Sequence, residues 1–220
     1  MKIIEHVYQV GGSGISAPGD AAIYLITSGD IAALIDAGTG EGHENVVKAI
    51  DACRAPGTPV SFLFLTHCHY DHCGGAARLK KHYECDIIAH EMDARFLETG
   101  DGRVTAALWY NADLPPLTVD YKISTPQEYF LIGNLELQAI HCPGHSPGSL
   151  VYLLETPGHR VLFGQDIHGP LHPDLLSNRD DYIVSLSMLL KLNADILCEG
   201  HFGIIRGKDE VHKFIQSYIP

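Results

Sequence analysis

The run His67-Cys68-His69-Tyr70-Asp71-His72 places four potential metal ligands within six positions, directly after an apolar segment. Neutral imidazole and ionised carboxylate are ligands that zinc and similar divalent ions prefer. Alternate residues of an extended loop point the same way, so His67 and His69 can reach one ion. Asp71 and His72 are adjacent, and they favour a second ion nearby where the loop turns into a helix. Three imidazoles and a carboxylate cannot be buried this close together without a compensating partner, so the run predicts metal binding rather than ordinary surface histidines.

Three further candidate ligands, His145, Asp166 and His201, each end or follow an apolar, strand-like segment. His145 lies in a loop shaped by proline and glycine, Pro143-Gly144-His145-Ser146-Pro147-Gly148. Asp166 has two carboxylate oxygens that could bridge two ions, and His201 precedes a glycine-flanked loop. Because α/β folds collect their chemistry at strand ends, the common placement of these residues favours a shared site.

Hydrophobic periodicity and the positions of glycine and proline predict an α/β protein. The predicted strands are Ile3–Val10, Ala21–Ile26, Ile31–Ile35, Ser61–Leu65, Ile87–Ala89, Leu135–Ile140, Leu150–Leu154, Arg160–Phe163 and Ile196–Cys198. The predicted helices are Glu41–Ala52, Gly74–Lys81, His90–Glu98, Tyr182–Leu190 and Asp209–Ile219.

Together these motifs resemble the metallo-β-lactamase superfamily, most closely its branch that is similar to glyoxalase II. The resemblance is carried by the His-x-His-x-Asp-His run, the Pro-Gly-His-Ser-Pro-Gly loop, Asp166 and His201. The segment Leu34-Ile35-Asp36-Ala37-Gly38 also resembles the first family motif, in which the aspartate supports the metal site from behind. The motifs span residues 34 to 201. The resemblance implies a metallo-β-lactamase-like four-layer αββα sandwich, two sheets between layers of helices.

The resemblance also implies two divalent metal ions, with Zn²⁺ preferred and Fe or Mn as alternatives. Seven residues would bind them as two triads and one bridging carboxylate: His67, His69 and His145; Asp71, His72 and His201; and Asp166. A hydroxide shared by the two ions would be the nucleophile, and Asp71 would act as a catalytic residue by orienting it. The expected activity is hydrolysis of a small carbonyl substrate, first of all a thioester, as in hydroxyacylglutathione hydrolases.

Departures from related families narrow this expectation. In zinc β-lactamases the ligand in the place of Asp166 is commonly a cysteine or is otherwise arranged, so Asp166 argues against antibiotic hydrolysis. Flavodiiron oxygen reductases usually have a glutamate in the place of His69. Quorum-signal lactonases usually place a tyrosine shortly after the bridging aspartate, where this chain has Ile167-His168-Gly169. Glyoxalase II enzymes continue into a helical domain with basic residues for glutathione, whereas only three basic side chains follow His201 here: Arg206, Lys208 and Lys213. The sequence therefore does not identify the thiol to which the acyl group is attached.

Two alternative functions stay open beside the thioesterase. One is an iron-dependent oxidoreductase resembling persulfide dioxygenases, which share the histidine cluster but use one iron. The other is a lactonase. A non-catalytic metal-binding protein is disfavoured, because all seven ligand positions are present.

Composition predicts one catalytic domain over residues 1–220, since no linker, repeat or low-complexity tract interrupts the chain. The formal net charge of −12 argues against nucleic acid as a partner, and no basic amphipathic stretch indicates a membrane surface. With no apolar leader at its start, the chain is expected to be cytoplasmic. Its six cysteines are accordingly expected to be reduced and structural.

The segment 92–127 separates the two groups of ligands and contains Trp109, Tyr110 and Tyr121. One hypothesis is that it forms a lid or wall of a substrate pocket. The alternative is a surface insertion or a contact in a homodimer, because aromatic residues serve interfaces as readily as pockets. His168 and His172 are weighed in the same way, as pocket residues or ordinary surface histidines.

Overall fold

A computed structural model of the protein describes residues 1–164 and 166–220. Within these residues, the chain forms two mixed β-sheets flanked by helices. The strands are β1 Lys2–Ile4, β2 Val7–Gly11, β3 Ile23–Ser28, β4 Ile31–Ile35, β5 Val60–Phe64, β6 Asp86–His90, β7 Tyr121–Ile123, β8 Gln127–Ile132, β9 Leu135–His141, β10 Leu150–Thr156, β11 His159–Phe163, β12 Ile196–Cys198 and β13 Ile204–Arg206. The helices are α1 His43–Cys53, α2 Tyr70–Cys73, α3 Ala76–Tyr83, α4 Glu91–Thr99, α5 Arg179–Lys191 and α6 Lys208–Gln216.

The first sheet has the strand order β1-β2-β3-β4-β5-β6-β7 and the second has the order β13-β12-β11-β10-β9-β8. In the first sheet, β1 to β4 pair antiparallel, and β4 to β7 pair parallel. In the second sheet, only the β11–β12 pair is parallel among the described strands. The carboxyl ends of β5, β9, β11 and β12 lead into the loops that carry the candidate ligands, and Asp36 follows β4.

Three layers of buried apolar side chains separate the sheets and helices. One layer, which includes Phe64 and Tyr152, fills the space between the two sheets. A second packs the outer face of the first sheet against α1, α3 and α4, and a third packs the second sheet against α5 and α6. The expected four-layer αββα sandwich is therefore confirmed.

The five predicted helices are present, with ends displaced by a few residues. The single strand predicted over Ile3–Val10 is wrong: it is two antiparallel strands joined by a turn in which His6 has a φ of 72°. Three short edge strands, β7, β8 and β13, were missed. In β8, exposed and partly buried residues alternate and only Ile132 is buried, so its place in the sheet depends on pairing with β9.

Buried hydrogen bonds hold the two sheets in register beside the strand ends. The Tyr152 hydroxyl, in the second sheet, donates to the Leu65 carbonyl after β5 at 2.8 Å. The Tyr24 hydroxyl, in the first sheet, donates to the Glu199 carbonyl after β12 at 2.8 Å. Each phenol spans the core between the sheets, so the loops that follow β5 and β12 are fixed relative to each other.

Two histidines form a second link between the sheets. His90 ends β6 and His141 ends β9, and their rings stack with centroids 3.9 Å apart and planes 9° apart. Burial, together with the charge of His141, lowers the pKa of His90 to about 4. The neutral imidazole is thus strongly favoured at this junction.

The His90 junction predicts a loss of stability in mild acid. The unfolded chain, with an ordinary histidine pKa near 6.5, binds the proton first as the pH falls, so the stabilisation is present above about pH 6.5 and is lost toward pH 4. Between pH 7.5 and 5.0, wild type should lose about 2 kcal/mol more free energy of unfolding than His90→Asn. Asparagine cannot titrate, yet it retains an acceptor for the Met92 N–H that His90 Nδ1 now caps. Urea unfolding at both pH values checks this, and parallel pH profiles for the two proteins would contradict it.

Candidate metal centre

The structure brings all seven sequence-predicted ligands together at one edge of the sandwich. Among the described residues, four groups of three side chains could each hold a metal ion, because the donor atoms within each group lie within 4.8 Å of one another. Three of these groups are composed of the predicted ligands: His67, His69 and His145; His67, His72 and Asp166; and Asp71, His72 and His201. The residues come from loops after β5, β9, β11 and β12, so both sheets contribute.

Asp166 lies at the centre of the cluster. Its Oδ1 is 3.1 Å from Nε2 of His72 and 3.4 Å from Nε2 of His201. Its Oδ2 is 3.5 Å from Nε2 of His145. Asp71 Oδ2 lies 3.1 Å from the same His201 nitrogen. One carboxylate thus faces both groups of imidazoles.

The donor atoms of this cluster are suited to metal ions. Among the described residues, the buried side-chain atoms without a hydrogen-bond partner include Nε2 of His67, His69, His72 and His145, and Oδ1 of Asp166. Buried polar atoms are normally hydrogen-bonded, and five unpartnered ones that converge call for a ligand. Imidazole nitrogen and carboxylate oxygen match the preference of zinc and of iron or manganese, so the residues fit the expected ions.

Hydrogen bonds behind the imidazoles fix which ring nitrogen faces the cluster. Asp36 Oδ2 lies 2.7 Å from Nδ1 of His72, and the Thr66 hydroxyl lies 3.0 Å from Nδ1 of His67. The Pro170 carbonyl lies 2.9 Å from Nδ1 of His145. Such partners hold Nδ1 and leave the Nε2 lone pair for a ligand. Asp36 therefore supports the cluster from behind, as its motif predicts, by holding the ring of His72.

The imidazoles fall into two electrostatic groups. Burial, reinforced by neighbouring histidines, holds the pKa of His67 and His69 well below the ordinary value. Burial also opposes a charge on His72, but the carboxylates of Asp166, Asp36 and Asp71 outweigh it and raise the pKa of His72 well above the ordinary value. The three carboxylates thus favour a positive charge at His72. A bound metal cation would supply that charge in place of the proton on the imidazole.

Asp93 supports the site and was missed in the sequence. This carboxylate, fully buried in α4, accepts hydrogen bonds from the Cys68 N–H at 3.0 Å, the Ser146 hydroxyl at 2.6 Å and the Gly148 N–H at 2.6 Å. It therefore joins the loop of His67 and His69 to the loop of His145. Only its acidic character within an otherwise amphipathic helix could have indicated this.

Glu199 is a second supporting residue that sequence reasoning missed. It is fully buried, its Oε1 lies 2.8 Å from His168 Nδ1, and its Oε2 accepts the N–H groups of His201 and Phe202 at 2.7 and 2.9 Å. Glu199, His168 and Asp166 form the fourth donor group. Because both Glu199 oxygens already accept hydrogen bonds, this carboxylate serves to hold the His201 loop and His168.

A cavity of about 230 Å³ opens onto the cluster. The lining residues are His69, Asp71, Ala106, Trp109, Tyr110, His145, Asp166, His168, Pro170, Leu175 and His201. Segment 92–127 thus supplies part of the pocket wall, through the 3₁₀ helix Ala107–Tyr110. His168 lines the cavity, whereas His172 contacts the edge of Trp109, with ring centroids 5.2 Å apart.

Beside the cluster, Cys68, Cys73 and Cys142 are buried and unpaired, as expected for structural thiols. Burial raises the pKa of Cys142 to about 12 and that of Cys68 and Cys73 well above the ordinary value. These thiols therefore do not supply a nucleophile.

Gln165, which precedes Asp166 in the motif, lies outside the described residues. Among the described residues, no helix has the length and apolar character needed to cross a membrane.

Comparison with known proteins places these features in a family. Residues 17–201 match the sequence profile of the metallo-beta-lactamase superfamily. The acyl-coenzyme A thioesterase MBLAC2 of Gallus gallus is 27% identical over 226 residues, covering 90% of this chain and 78% of that protein. The probable metallo-hydrolase YybB of Bacillus subtilis is 26% identical, covering 96% of this chain and 94% of its own. A hydroxyacylglutathione hydrolase of Rhodopseudomonas palustris is 25% identical over 118 residues, covering 53% of this chain and 37% of its own.

Solved structures give the same result for the fold. A metallo-beta-lactamase from Cronobacter sakazakii superposes with a TM-score of 0.80 at 23% identity, over 99% of this chain and 92% of that one. The described sandwich is therefore the fold of that protein. The chain belongs to the metallo-β-lactamase superfamily and is a metallo-hydrolase of that fold.

Proposed function

We propose that this chain is a two-metal hydrolase that cleaves a thioester, with residues 1–220 acting as one domain. The observation that carries the proposal is the convergence of five unpartnered buried donor atoms from three loops, with His201 of a fourth loop beside them, at the base of a cavity. A single metal site would need only one of the two triads. The presence of both triads on either side of one carboxylate supports two ions.

In this proposal His67, His69 and His145 would hold one ion, Asp71, His72 and His201 would hold the other, and Asp166, which faces both groups, would be shared. Zinc is preferred, since its usual ligands are imidazole nitrogen and carboxylate oxygen. Two bound dications would acidify a water molecule and polarise a substrate carbonyl. They would also compensate the carboxylates of Asp36, Asp71 and Asp166, which are buried together here.

The chain's own residues orient the reactants. Asp71 lines the cavity beside Asp166. In this proposal its carboxylate would accept a hydrogen bond from the attacking water. Water adds its oxygen to the acyl carbon, the carbon–sulfur bond breaks, and the thiol leaves with a proton while the acid product forms. Asp36, Asp93 and Glu199 act as positioning residues, since each holds a ligand loop or a ligand ring without lining the cavity.

Similar proteins support a thioester as the substrate. Both a thioesterase and a hydroxyacylglutathione hydrolase are among the similar proteins. The basic residues after His201 do not line the cavity: Arg206 donates to the Ile3 carbonyl, and Lys208 and Lys213 face Asp195 and Glu210. The proposed substrate is therefore a thioester whose carrier is not held by these side chains as glutathione would be.

Two measurements test the proposal on protein purified without added metal or chelator. One is the metal content per chain, and the other is the rate of hydrolysis of a panel of thioesters and lactones. We expect near two equivalents of zinc per chain and hydrolysis of thioesters faster than of lactones. Removal of metal by a chelator should stop hydrolysis, and added zinc should restore it. About one equivalent of iron with oxygen uptake on a persulfide would instead support the oxidoreductase, and faster lactone opening would support the lactonase.

A further inference from the structure

The cavity above the cluster has two chemical halves. The six polar lining residues belong to the metal cluster or adjoin it. The other five are apolar or aromatic: Ala106, Trp109, Tyr110, Pro170 and Leu175. Ala106, Trp109 and Leu175 come from the 92–127 segment and the segment before α5, so they lie apart from the ligand loops, whereas Pro170 belongs to the loop of Asp166 and the Tyr110 hydroxyl faces Asp71. A substrate whose carbonyl group reaches the cluster must place another part of itself on this surface.

Charge also restricts the group that can lie there. Among the described lining residues there is no lysine or arginine. The nearest ion pair in the flanking segments, Arg103 with Asp174 at 3.9 Å, involves side chains that are 63% and 41% exposed and lie outside the lining. An anionic group on the acyl chain, placed away from the metal ions, would meet no cation, and desolvating it would cost free energy.

Exposed leucines neighbour two of the lining residues in the chain. Next to the lining residue Trp109 stands Leu108, which is 64% exposed, and next to Leu175 stands Leu176, which is 39% exposed. Trp109 is itself 51% exposed, with its ring held against His172. Exposed apolar side chains near the mouth of a pocket favour an apolar ligand there.

We infer that the surface formed by Ala106, Trp109 and Leu175, hereafter the apolar wall, binds an uncharged, apolar acyl chain of the thioester substrate. The inference rests on the proposed thioesterase function and adds the acyl specificity to it. The carbonyl group enters the metal cluster, the alkyl chain lies on the apolar wall, and it extends past Leu108 and Leu176 as it lengthens. Acyl chains that end in a carboxylate are excluded.

Binding can be measured independently of turnover, because Trp109 is the single tryptophan of the chain. The probes are ketone analogues of thioesters of N-acetylcysteamine, an uncharged thiol, in which CH₂ replaces the sulfur and hydrolysis is impossible. Butyryl, hexanoyl and octanoyl analogues should change Trp109 fluorescence in the metal-loaded protein. The half-saturating concentration should fall about 4-fold for each CH₂ group that the wall buries. The analogue with a terminal carboxylate on a chain of matched length should bind at least about 10-fold more weakly.

Turnover gives the second measurement. Trp109→Ala should lower the ratio of octanoyl to butyryl kcat/KM by about 10-fold, because the longer chain loses more buried area. Leu131→Ala is the matched control, since Leu131 is 68% exposed on β8 and does not line the cavity. The control should leave the ratio unchanged. Trp109 is half-exposed, so its removal does not open the core, and circular dichroism verifies the fold.

The two proposals fail in different ways. Chain-length-dependent fluorescence without hydrolysis of any thioester would overturn the thioesterase and leave the apolar wall. Efficient thioester hydrolysis with no dependence on chain length, or with preference for the carboxylate-ended chain, would overturn the apolar wall and leave the thioesterase.

Discussion

Asp166→Asn is expected to lower kcat/KM by roughly 10³-fold or more and to reduce bound metal from about two equivalents to one or fewer. The carboxylate oxygens of Asp166 lie within 3.5 Å of Nε2 of His72, His145 and His201. An amide retains one acceptor oxygen, but its NH₂ group cannot bind a cation and would point at one of the two sites. The substitution also removes one negative charge from the centre of a buried cluster.

Metal analysis and steady-state kinetics on a thioester check this prediction together. Asp174→Asn is the matched control: it makes the same chemical change on a 41% exposed carboxylate outside the cavity lining. The control should retain both metal equivalents and its activity. Two equivalents of metal and normal turnover in Asp166→Asn would show that this carboxylate is not the shared ligand.

Asp36→Asn is expected to weaken metal binding by about 10- to 100-fold, although Asp36 does not line the cavity. The Asp36 carboxylate accepts from the Thr66 N–H and hydroxyl, each at 2.8 Å, and faces His72 Nδ1 at 2.7 Å. An asparagine would place its NH₂ toward that ring nitrogen. The imidazole would then carry its proton on Nε2, the nitrogen that must face the metal.

The backbone at this position makes asparagine the informative substitution. Asp36 has a φ of 63°, and asparagine tolerates this left-handed region, so the change tests the hydrogen bonds rather than the turn. Competition with a chromophoric chelator measures the zinc affinity. Asp20→Asn is the control, because Asp20 is buried and accepts three hydrogen bonds from Ser16 and Thr39 but touches no ligand histidine. Equal loss of zinc affinity in both variants would contradict the tautomer argument.

Five of the six described helices were readable from local pattern, because amphipathic spacing repeats within each segment; the four-residue α2 was not among them. The edge strands were missed as well, as β8 shows: its exposed and partly buried residues alternate, and pairing with β9 sets its place in the sheet. The break at His6 within the first predicted strand has the same origin. A positive φ there serves the antiparallel turn, and nothing in the residue type requires it.

For the site, the residue types and spacing of His67 to His72, together with three strand-end residues, were enough to predict the seven residues that the structure assembles. Local motifs carry that information because ligand chemistry depends on few side-chain types. The contacts that support these ligands could not be predicted from the sequence. Asp93 and Gly148 are 55 residues apart in the chain, and their 2.6 Å hydrogen bond exists only because α4 packs beside the loop after β9.

Sequence alone could therefore predict the family, the αββα architecture that the family resemblance implies, and a set of candidate metal ligands. Tertiary structure decided which nitrogen of each imidazole faces the cluster, which carboxylate lies between the two triads, and which apolar side chains form the wall of the cavity. These properties depend on distances between loops from two different sheets. Such distances are set by the packing of the core between the sheets, where Phe64 and Tyr152 are fully buried, and no single segment encodes them.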